Sequence, residues 1–199
     1  MANGIAVMPR LRKTPTEPLT FALSRLSTPI GTALVATDAE GRLRIFEWED
    51  HADRMQSLLD RFYGAGRARF ADDRPAAKPV MKALEQYFAG DLAAIDAIAA
   101  ESAGTEFQRA VWKALRKIPV GQTWSYSRLA QRIGRPDAVR AVGTANGANP
   151  ISVVVPCHRV IGADGSLTGY GGGMERKAWL LRHEGAIAAD TTAQRSPGR

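Results

Sequence analysis

The sequence contains one cysteine and three histidines among its 199 residues. One cysteine cannot form an internal disulfide bond, which favours a reducing compartment such as the cytoplasm. A lone cysteine also excludes a cysteine-rich zinc site, and the scattered histidines argue against a histidine-based one. No apolar run approaches the roughly 18 residues of a membrane span, and the start of the chain lacks the apolar stretch of a signal peptide. The sequence thus predicts a cytoplasmic protein with no metal and no membrane partner.

Acidic residues are scarce in the second half of the chain. Residues 104–185 hold 12 Lys and Arg against 5 Asp and Glu, a net charge of +7, whereas residues 1–103 hold 13 against 14. A basic region next to a neutral one is typical of a protein that binds nucleic acid. A basic surface that only aids solubility would give the same count, so charge alone leaves both interpretations open.

Local patterns divide the chain into four segments: a flexible lead at 1–18, an α/β domain at 19–100, a second domain at 104–185 and a flexible tail at 186–199. In the first domain, residues 19–48 have the pattern of three strands separated by turns, which predicts an antiparallel meander. Helices are expected over 51–63 and 80–88, with a loop over 64–79 between them.

The second domain begins with a helix and continues with a pair of short helices. Thr105 and Gln108 form a capping-box pattern, in which each side chain bonds a free backbone amide of the first helical turn. Residues 125–150 predict two short helices joined by a turn at Gly134, with Pro136 in the first turn of the second helix. This arrangement is a helix-turn-helix candidate, although many such pairs only pack together.

The second helix of this pair is lined with small residues, including Ala141 and Gly143, and one long side chain, Arg140, projects from it. A helix that reads the major groove would need several long polar side chains. A smooth helix with one arginine suits the narrow minor groove of DNA.

The only cysteine lies in the segment VVVPCHRVIG, residues 153–162, where three β-branched residues predict a strand that ends at Pro156. Cys157 stands next to His158, and a thiol beside an imidazole suggests a nucleophile and its base. The alternative is a small buried side chain beside a histidine of the core, which is the usual state of an isolated cysteine. The basic surroundings of Cys157 favour a reactive thiolate.

Three neighbouring features favour a functional site over a structural cysteine. The run GYGGG at 169–173 allows backbone amides to approach a ligand closely. Asn149 is a polar turn residue that can brace the loop before the cysteine. Glu184 follows a helix expected over 174–183 and could orient His158 as the third member of a relay, or could be a solvated carboxylate at the helix end.

Four stretches carry a resemblance to a known family: TEFQRAVWKALRKIPVGQTWSY, RAVGTANGANPI, VVVPCHRVIG and GYGGGMERKAWLLRHEG. Together they resemble the O6-alkylguanine-DNA alkyltransferases, above all the constitutive bacterial form. The resemblance is dense from Thr105 to Gly185, weaker over about 19–100 and absent from both ends. It implies an N-terminal ribonuclease-H-like α/β domain with an antiparallel sheet, and a mainly helical C-terminal domain with a helix-turn-helix.

The resemblance also implies a reaction that each molecule performs once and that needs no cofactor. The alkyl group of O6-alkylguanine, or of O4-alkylthymine, in double-stranded DNA is transferred irreversibly to the protein's own cysteine after the nucleotide has been flipped out. A monomer in solution is implied, and cooperative binding along DNA stays open.

Transferred position by position, the resemblance makes Cys157 the alkyl acceptor and Asn149 the brace of the active-site turns. His158, acting through a water molecule, and Glu184 form the relay that deprotonates the thiol. Tyr126 lies where the family protonates N3 of the leaving guanine and crowds the 3′ phosphate.

The remaining assignments concern DNA and the base pocket. Arg140 is implied to fill the gap left by the flipped nucleotide. The implied DNA-binding residues are Ser125, Tyr126, Arg140, Ala141 and Gly143, and those of the substrate pocket are Val160, Tyr170, Gly171 and Gly172. Gly171 stands where some members have Ser, which predicts a roomier pocket.

Two other functions are weighed against alkyl transfer. A lesion-binding protein on the same scaffold would carry another residue at the position of Cys157. A cysteine hydrolase would need direct contact between Cys157 and His158 and an oxyanion hole, and it would leave the paired helices and the basic half unexplained.

Overall fold

The computed structural model describes residues 19–71 and 75–188; the predicted lead at 1–18 and the part of the predicted tail from residue 189 onward lie outside the described residues. Its strands and helices are β1 (Leu19–Thr28), β2 (Gly31–Thr37), β3 (Leu43–Trp48), α1 (Ala52–Tyr63), β4 (Ala68–Ala71), α2 (Lys78–Phe88), α3 (Glu106–Leu115), β5 (Trp124–Ser125), α4 (Tyr126–Arg132), α5 (Val139–Gly147), β6 (Val160–Ile161) and α6 (Met174–His183). None of the described helices is long and apolar enough to cross a membrane.

A four-stranded sheet with the strand order β3-β2-β1-β4 forms the N-terminal part. The antiparallel meander expected over residues 19–48 is confirmed, since β2 pairs with both β1 and β3 in antiparallel register. The expected loop at 64–79 is wrong in part, because it contains β4, which pairs with β1 in parallel. Four residues, one of them Arg69, give too short a pattern to predict a strand; the pairing of Phe70 opposite Phe21 creates it.

The first helix of the C-terminal part begins as the sequence predicts. The Gln108 amide nitrogen donates to Thr105 Oγ1 at 3.2 Å, and the Thr105 amide nitrogen donates to Gln108 Oε1 at 2.9 Å, which completes the capping box. The last helix, α6, spans the residues expected for it.

Two short helices, α4 and α5, follow, and the turn between them contains Gly134 at φ +70°. The sequence predicts Pro136 in the first turn of α5, but the residue lies in the turn before that helix. The Ala138 amide donates to the Arg135 carbonyl at 3.0 Å and closes a separate turn, so that α5 begins only at Val139.

The two parts of the chain share one cluster of buried apolar side chains, which includes Phe46 and Leu84 from the N-terminal part and Val111 and Leu180 from the C-terminal part. Backbone bonds join them as well. The Phe46 amide donates to the Pro150 carbonyl at 3.0 Å, and the Ser152 amide donates to the Phe46 carbonyl at 3.1 Å. The edge of the sheet therefore holds the segment that leads to Cys157.

Candidate active site

The segment before the cysteine is a set of turns and not the strand that its β-branched residues predict. Val153 has φ +69°, a conformation that costs a β-branched residue free energy, and its side chain is fully buried. After Pro156 the chain enters a 3-10 turn, Cys157–Arg159. The strand prediction fails because side-chain and edge-strand hydrogen bonds fold this segment back on itself. The turn places Cys157 and His158 on one tight bend.

Asn149 is the residue around which these turns are built. Its Nδ2 donates to the Val155 carbonyl at 2.8 Å and to Cys157 Sγ at 3.2 Å, and its Oδ1 accepts from the Ile151 amide at 3.0 Å. Asn146, which the sequence did not single out, is buried in α5, and its Nδ2 donates to the Cys157 carbonyl at 3.4 Å. One carboxamide thus bonds the thiol of Cys157, and a second bonds the backbone of the same residue.

His158 and Glu184 meet in the interior, where both side chains are completely buried. His158 Nε2 lies 2.9 Å from Glu184 Oε1, while His158 Nδ1 has no hydrogen-bond partner among the described residues. Because an ionised carboxylate only accepts hydrogen bonds, this geometry places the proton of the neutral imidazole on Nε2 and leaves Nδ1 with a free lone pair. The reading of Glu184 as a solvated carboxylate is wrong.

Glu184 has two further partners, neither of which the sequence analysis identified. Arg159 Nε donates to Oε2 at 2.7 Å, and its Nη2 donates to Oε1 at 2.9 Å. The Tyr87 hydroxyl donates to Oε1 at 2.7 Å. Arg159 lies in the cysteine motif itself and could have been proposed as a site residue from the sequence. No sequence pattern around Tyr87 indicates that it contacts Glu184.

Burial decides the protonation of the site. It raises the pKa of the Cys157 thiol, and the Asn149 hydrogen bond and the positive charges of Arg54 and Lys177 oppose this only in part. Burial also lowers the pKa of His158, although Glu184 acts in the opposite direction. The basic surroundings do favour the thiolate, as the sequence indicated, but removal of water outweighs them. The resting pair is a neutral thiol and a neutral imidazole.

The carboxyl group of Glu184 behaves differently. Burial would favour its neutral form, but three effects hold the pKa of Glu184 well below its usual range: the charge that His158 carries when protonated, the hydrogen bonds from His158 and Arg159, and the charge of Arg159. Glu184 is therefore the permanent negative charge of the site.

Lys177 is a buried cation close to the same centre. Its Nζ donates to the Val160 carbonyl at 2.6 Å and also to the Thr168 carbonyl, and this ties the residues after the cysteine to the start of the glycine run. Burial lowers the pKa of Lys177 to about 8, against the effect of Cys157. Spacing within α6 gave no indication that this lysine points inward.

The glycines of the run lie against side chains of the N-terminal part. A Cβ at Gly171 would stand 2.7 Å from Arg54 Cζ, and one at Gly172 would stand 2.2 Å from Trp48 Nε1. The predicted extra room at Gly171 is therefore absent, because the Arg54 guanidinium occupies it. Arg54 also donates to the carbonyls of Gly147, at 2.6 Å, and Asn149, at 3.2 Å.

The other predicted pocket residues lie at different depths. The Tyr170 ring stands edge-on to the His158 ring, with 6.4 Å between their centres, so the structure brings Tyr170 to the relay. Val160 is fully buried and follows the cysteine turn in the core. Within the described ranges no three His, Cys, Asp or Glu side chains lie close enough together to hold a metal ion.

The residues predicted to contact DNA gather around α4 and α5. Ser125 Oγ caps α4 by accepting from the Arg128 amide at 3.1 Å, and a Cβ at Gly143 would lie 3.8 Å from the ring of the half-buried Tyr126. Arg140 and Ala141 are exposed on α5.

Two arginines that the sequence analysis did not single out extend the positive charge of this region. The guanidinium groups of Arg128 and Arg132 lie over the Trp124 ring, 4.7 and 5.3 Å from its centre. Cation–π contact of this kind holds each charge in a fixed position at the surface of α4.

Comparison with known proteins shows which family the chain resembles. Residues 106–186 match the family model described as the DNA binding domain of 6-O-methylguanine DNA methyltransferase. The methylated-DNA–protein-cysteine methyltransferase of Salmonella typhimurium is 54% identical over 164 residues, which are 82% of this chain and 95% of that protein. The protein of the same name from Mycobacterium tuberculosis is 50% identical over 136 residues, 68% of this chain and 82% of its own. A crystal structure of Mycobacterium tuberculosis OGT in complex with DNA superposes with a TM-score of 0.68 at 38% identity, covering 84% of this chain and 94% of that chain.

Proposed function

The chain belongs to the family of methylated-DNA–protein-cysteine methyltransferases, and we propose that its Cys157 takes the alkyl group from O6 of guanine in double-stranded DNA and keeps it. The observation that carries the proposal is the buried thiol bonded to Asn149, beside the paired His158 and Glu184. A structural cysteine has no need of a neighbouring imidazole held by a buried carboxylate, whereas a nucleophile with a raised pKa does.

The chemistry of the bond explains why a base and an acid are both needed. An alkyl ether is a poor electrophile, and its leaving oxygen must be neutralised as the C–O bond breaks. In the proposed step the thiol proton passes through a water molecule to His158 Nδ1, and Cys157 Sγ forms the new S–C bond. Tyr126 gives a proton to N3 of the departing guanine. Protons then return through solvent, so that the net products are the thioether and unmodified guanine.

The thioether has no easy route back to a thiol, and each molecule therefore acts once. Glu184 stays ionised throughout and stabilises the imidazolium that forms at His158. The hydrogen bond from Asn149 stabilises the thiolate at the same moment. Both groups act on charge that develops during the reaction, which is how a buried site of this kind lowers the barrier.

Access to the base requires the nucleotide to leave the helix. We propose that α4 and α5 act as a helix-turn-helix in the minor groove, where the small side chains Ala141 and Gly143 let the backbone approach closely. Arg140, exposed on α5, enters the stack in place of the flipped nucleotide. Tyr170, Gly171 and Gly172 receive the base next to the thiol, with Val160 behind them.

Four finer points belong to the same proposal. We propose that the N-terminal part is ribonuclease-H-like and that O4-alkylthymine is a second substrate. We also propose that the protein acts as a monomer and that it works in the cytoplasm. The last of these follows from the chemistry, since a reactive thiol must stay reduced.

Titration of the protein with a duplex that contains O6-methylguanine with a labelled methyl group tests the proposal. We expect one label per protein molecule, stable after denaturation, and none on the Cys157→Ala variant, which still binds the duplex. Binding without label on the natural protein would favour a lesion-binding protein, and cleavage of the substrate would favour a hydrolase.

A further inference from the structure

Tyr87, in the last turn of α2, connects the N-terminal part of the chain to the proton relay. Its side chain is completely buried, and its hydroxyl lies 2.7 Å from Glu184 Oε1. The ring is fixed by an edge-on contact with the His183 ring, with 5.2 Å between their centres, and His183 Nε2 lies 2.8 Å from the Tyr87 carbonyl oxygen. The hydroxyl therefore approaches Glu184 from one direction only.

The direction of this hydrogen bond is determined by its partner. Glu184 is ionised and accepts only, so the Tyr87 hydroxyl must donate. Burial, together with the negative charge of Glu184, raises the pKa of Tyr87 far above its usual value, and the hydroxyl therefore keeps its proton at neutral pH. Oε1 thus accepts from three donors at once, which are Tyr87, Arg159 Nη2 and His158 Nε2.

Three donors on one oxygen compete for the same electron density. The more strongly Tyr87 and Arg159 bond to Oε1, the less Glu184 favours the imidazolium form of His158. Arg159 carries a fixed charge and also donates from Nε to Oε2, so its removal would leave Glu184 without its permanent counter-charge. Tyr87 is neutral, like the resting His158, but it is not itself the base, and its hydroxyl can be removed without changing any formal charge.

We propose that Tyr87 is a positioning residue of the alkyl-transfer reaction, through which the N-terminal part holds Glu184 in place and limits its pull on His158. The inference rests on the proposed function in taking His158 as the base for Cys157. It gives the N-terminal part a role in the relay, besides the sheet and the Arg54 hydrogen bonds that support the cysteine turns.

A test must keep the protonation states of the other charged and titratable groups around the relay constant. His158 faces Glu184, Arg159 and Lys177, stands beside Cys157 in the chain and touches the Tyr170 ring. Tyr87 faces Glu184, Arg159, Tyr170 and His183. Since the pKa of Lys177 is lowered to about 8, titrations should be followed below about pH 6.5, where Lys177 is almost fully charged.

The test is a nitrogen-15 NMR titration of His158 in the natural protein and in Tyr87→Phe. Loss of one donor from Oε1 should raise the pKa of His158 by roughly half a unit, a fraction of the effect of one charge-assisted hydrogen bond. The acid limb of the rate of reaction with free O6-benzylguanine should move to higher pH by the same amount. The dissociation constant for DNA should not change.

The matched control is Tyr63→Phe, which removes another hydroxyl of the N-terminal part. This hydroxyl accepts from Arg44 Nη2 at 3.3 Å, and Tyr63 packs against a different apolar cluster from the one that contains Tyr87. The control variant should leave both the titration and the rate profile unchanged. A complementary protein carries 3-fluorotyrosine at position 87, which keeps the ring and makes the hydroxyl a stronger donor. With it the pKa of His158 should fall, opposite to the change in Tyr87→Phe.

A His158 titration that is the same in all of these proteins would overturn the proposal and leave Tyr87 as a packing residue. An equal shift in Tyr63→Phe would do so as well. If Tyr87→Phe does not fold, the fluorotyrosine protein decides alone. The NMR titration needs no alkyl transfer, so a failure of the proposed function would appear separately, as the absence of alkylation in the natural protein.

Discussion

His158 Nε2 lies 2.9 Å from Glu184 Oε1 in an interior from which both side chains are shielded completely. Glu184→Gln should therefore lower the maximal rate of alkyl transfer by about 10- to 100-fold, because a neutral amide stabilises the imidazolium at His158 far less. The substitution should also raise the apparent pKa of the Cys157 thiol, so that the thiolate forms at higher pH. Single-turnover rates with free O6-benzylguanine between about pH 5 and 10 measure both effects, and an unchanged profile would exclude Glu184 from the relay.

The same carboxylate gives stability a defined dependence on pH. Its folded pKa lies below its unfolded value of about 4.3, so its contribution is fully present above that value and is lost as pH falls toward the folded pKa. Glu184→Gln should cost about 3 kcal/mol at neutral pH, since Arg159 loses its counter-charge, and much less near pH 2. Urea denaturation at several pH values checks this; a cost that does not vary with pH would contradict it. Both proteins also lose some stability as the pH falls, because His158 is buried in its neutral form.

Arg140 should matter for duplex DNA and little for the free base. It is exposed on α5, where it can occupy the place of a flipped nucleotide, and a free base has no stack to leave. Arg140→Ala should slow repair of duplex O6-methylguanine roughly tenfold or more, since each 1.4 kcal/mol or so of unstacking that is no longer offset is a factor of ten. Reaction with free O6-benzylguanine should keep its rate. Equal slowing of the two reactions would place Arg140 in the fold or the pocket.

The position of the glycine run that faces Trp48 is predicted not to tolerate a side chain. A Cβ at Gly172 would overlap Trp48 Nε1, so Gly172→Ala should lower the free energy of unfolding by about 1–3 kcal/mol and slow alkyl transfer by displacing the loop. Gly147→Ala is the matched control. That glycine is helical, and none of the residues that the structure describes lies within 4 Å of its would-be Cβ, so the alanine should be neutral or stabilising by up to about 1 kcal/mol. Equal stability changes in the two variants would show that the contact with Trp48 has no cost.

Binding to undamaged DNA should fall steeply with salt. The net charge of +7 in residues 104–185 provides cations that displace the counterions of phosphates, at a slope of about −0.9 per phosphate contacted in a log–log plot. Fluorescence anisotropy with an undamaged duplex should give a slope of several negative units. A slope near zero would show that the basic residues form only a solvated surface.

Features that depend on neighbours in sequence could be predicted, and features that depend on distant residues could not. The capping box of Thr105 and Gln108 is a local exchange of hydrogen bonds, and so the sequence reveals it directly. The hydroxyl of Tyr87 reaches Glu184 across 97 positions, and no pattern around either residue reports that contact.

The protonation of Cys157 could not be predicted for a related reason. The excess of basic residues is visible in the sequence, but the burial that outweighs it results from packing of the whole chain. The same holds for Gly171, where comparison of residue types predicts an empty space and the fold fills it with Arg54.

The most direct test of alkyl transfer is peptide mass spectrometry after incubation with a duplex that contains O6-methylguanine. The account predicts that the peptide with Cys157 gains the mass of one methylene group, that the gain is located on the sulfur, and that the duplex afterwards contains unmodified guanine. A Cys157 peptide of unchanged mass, or a methyl group on any other residue, would contradict it.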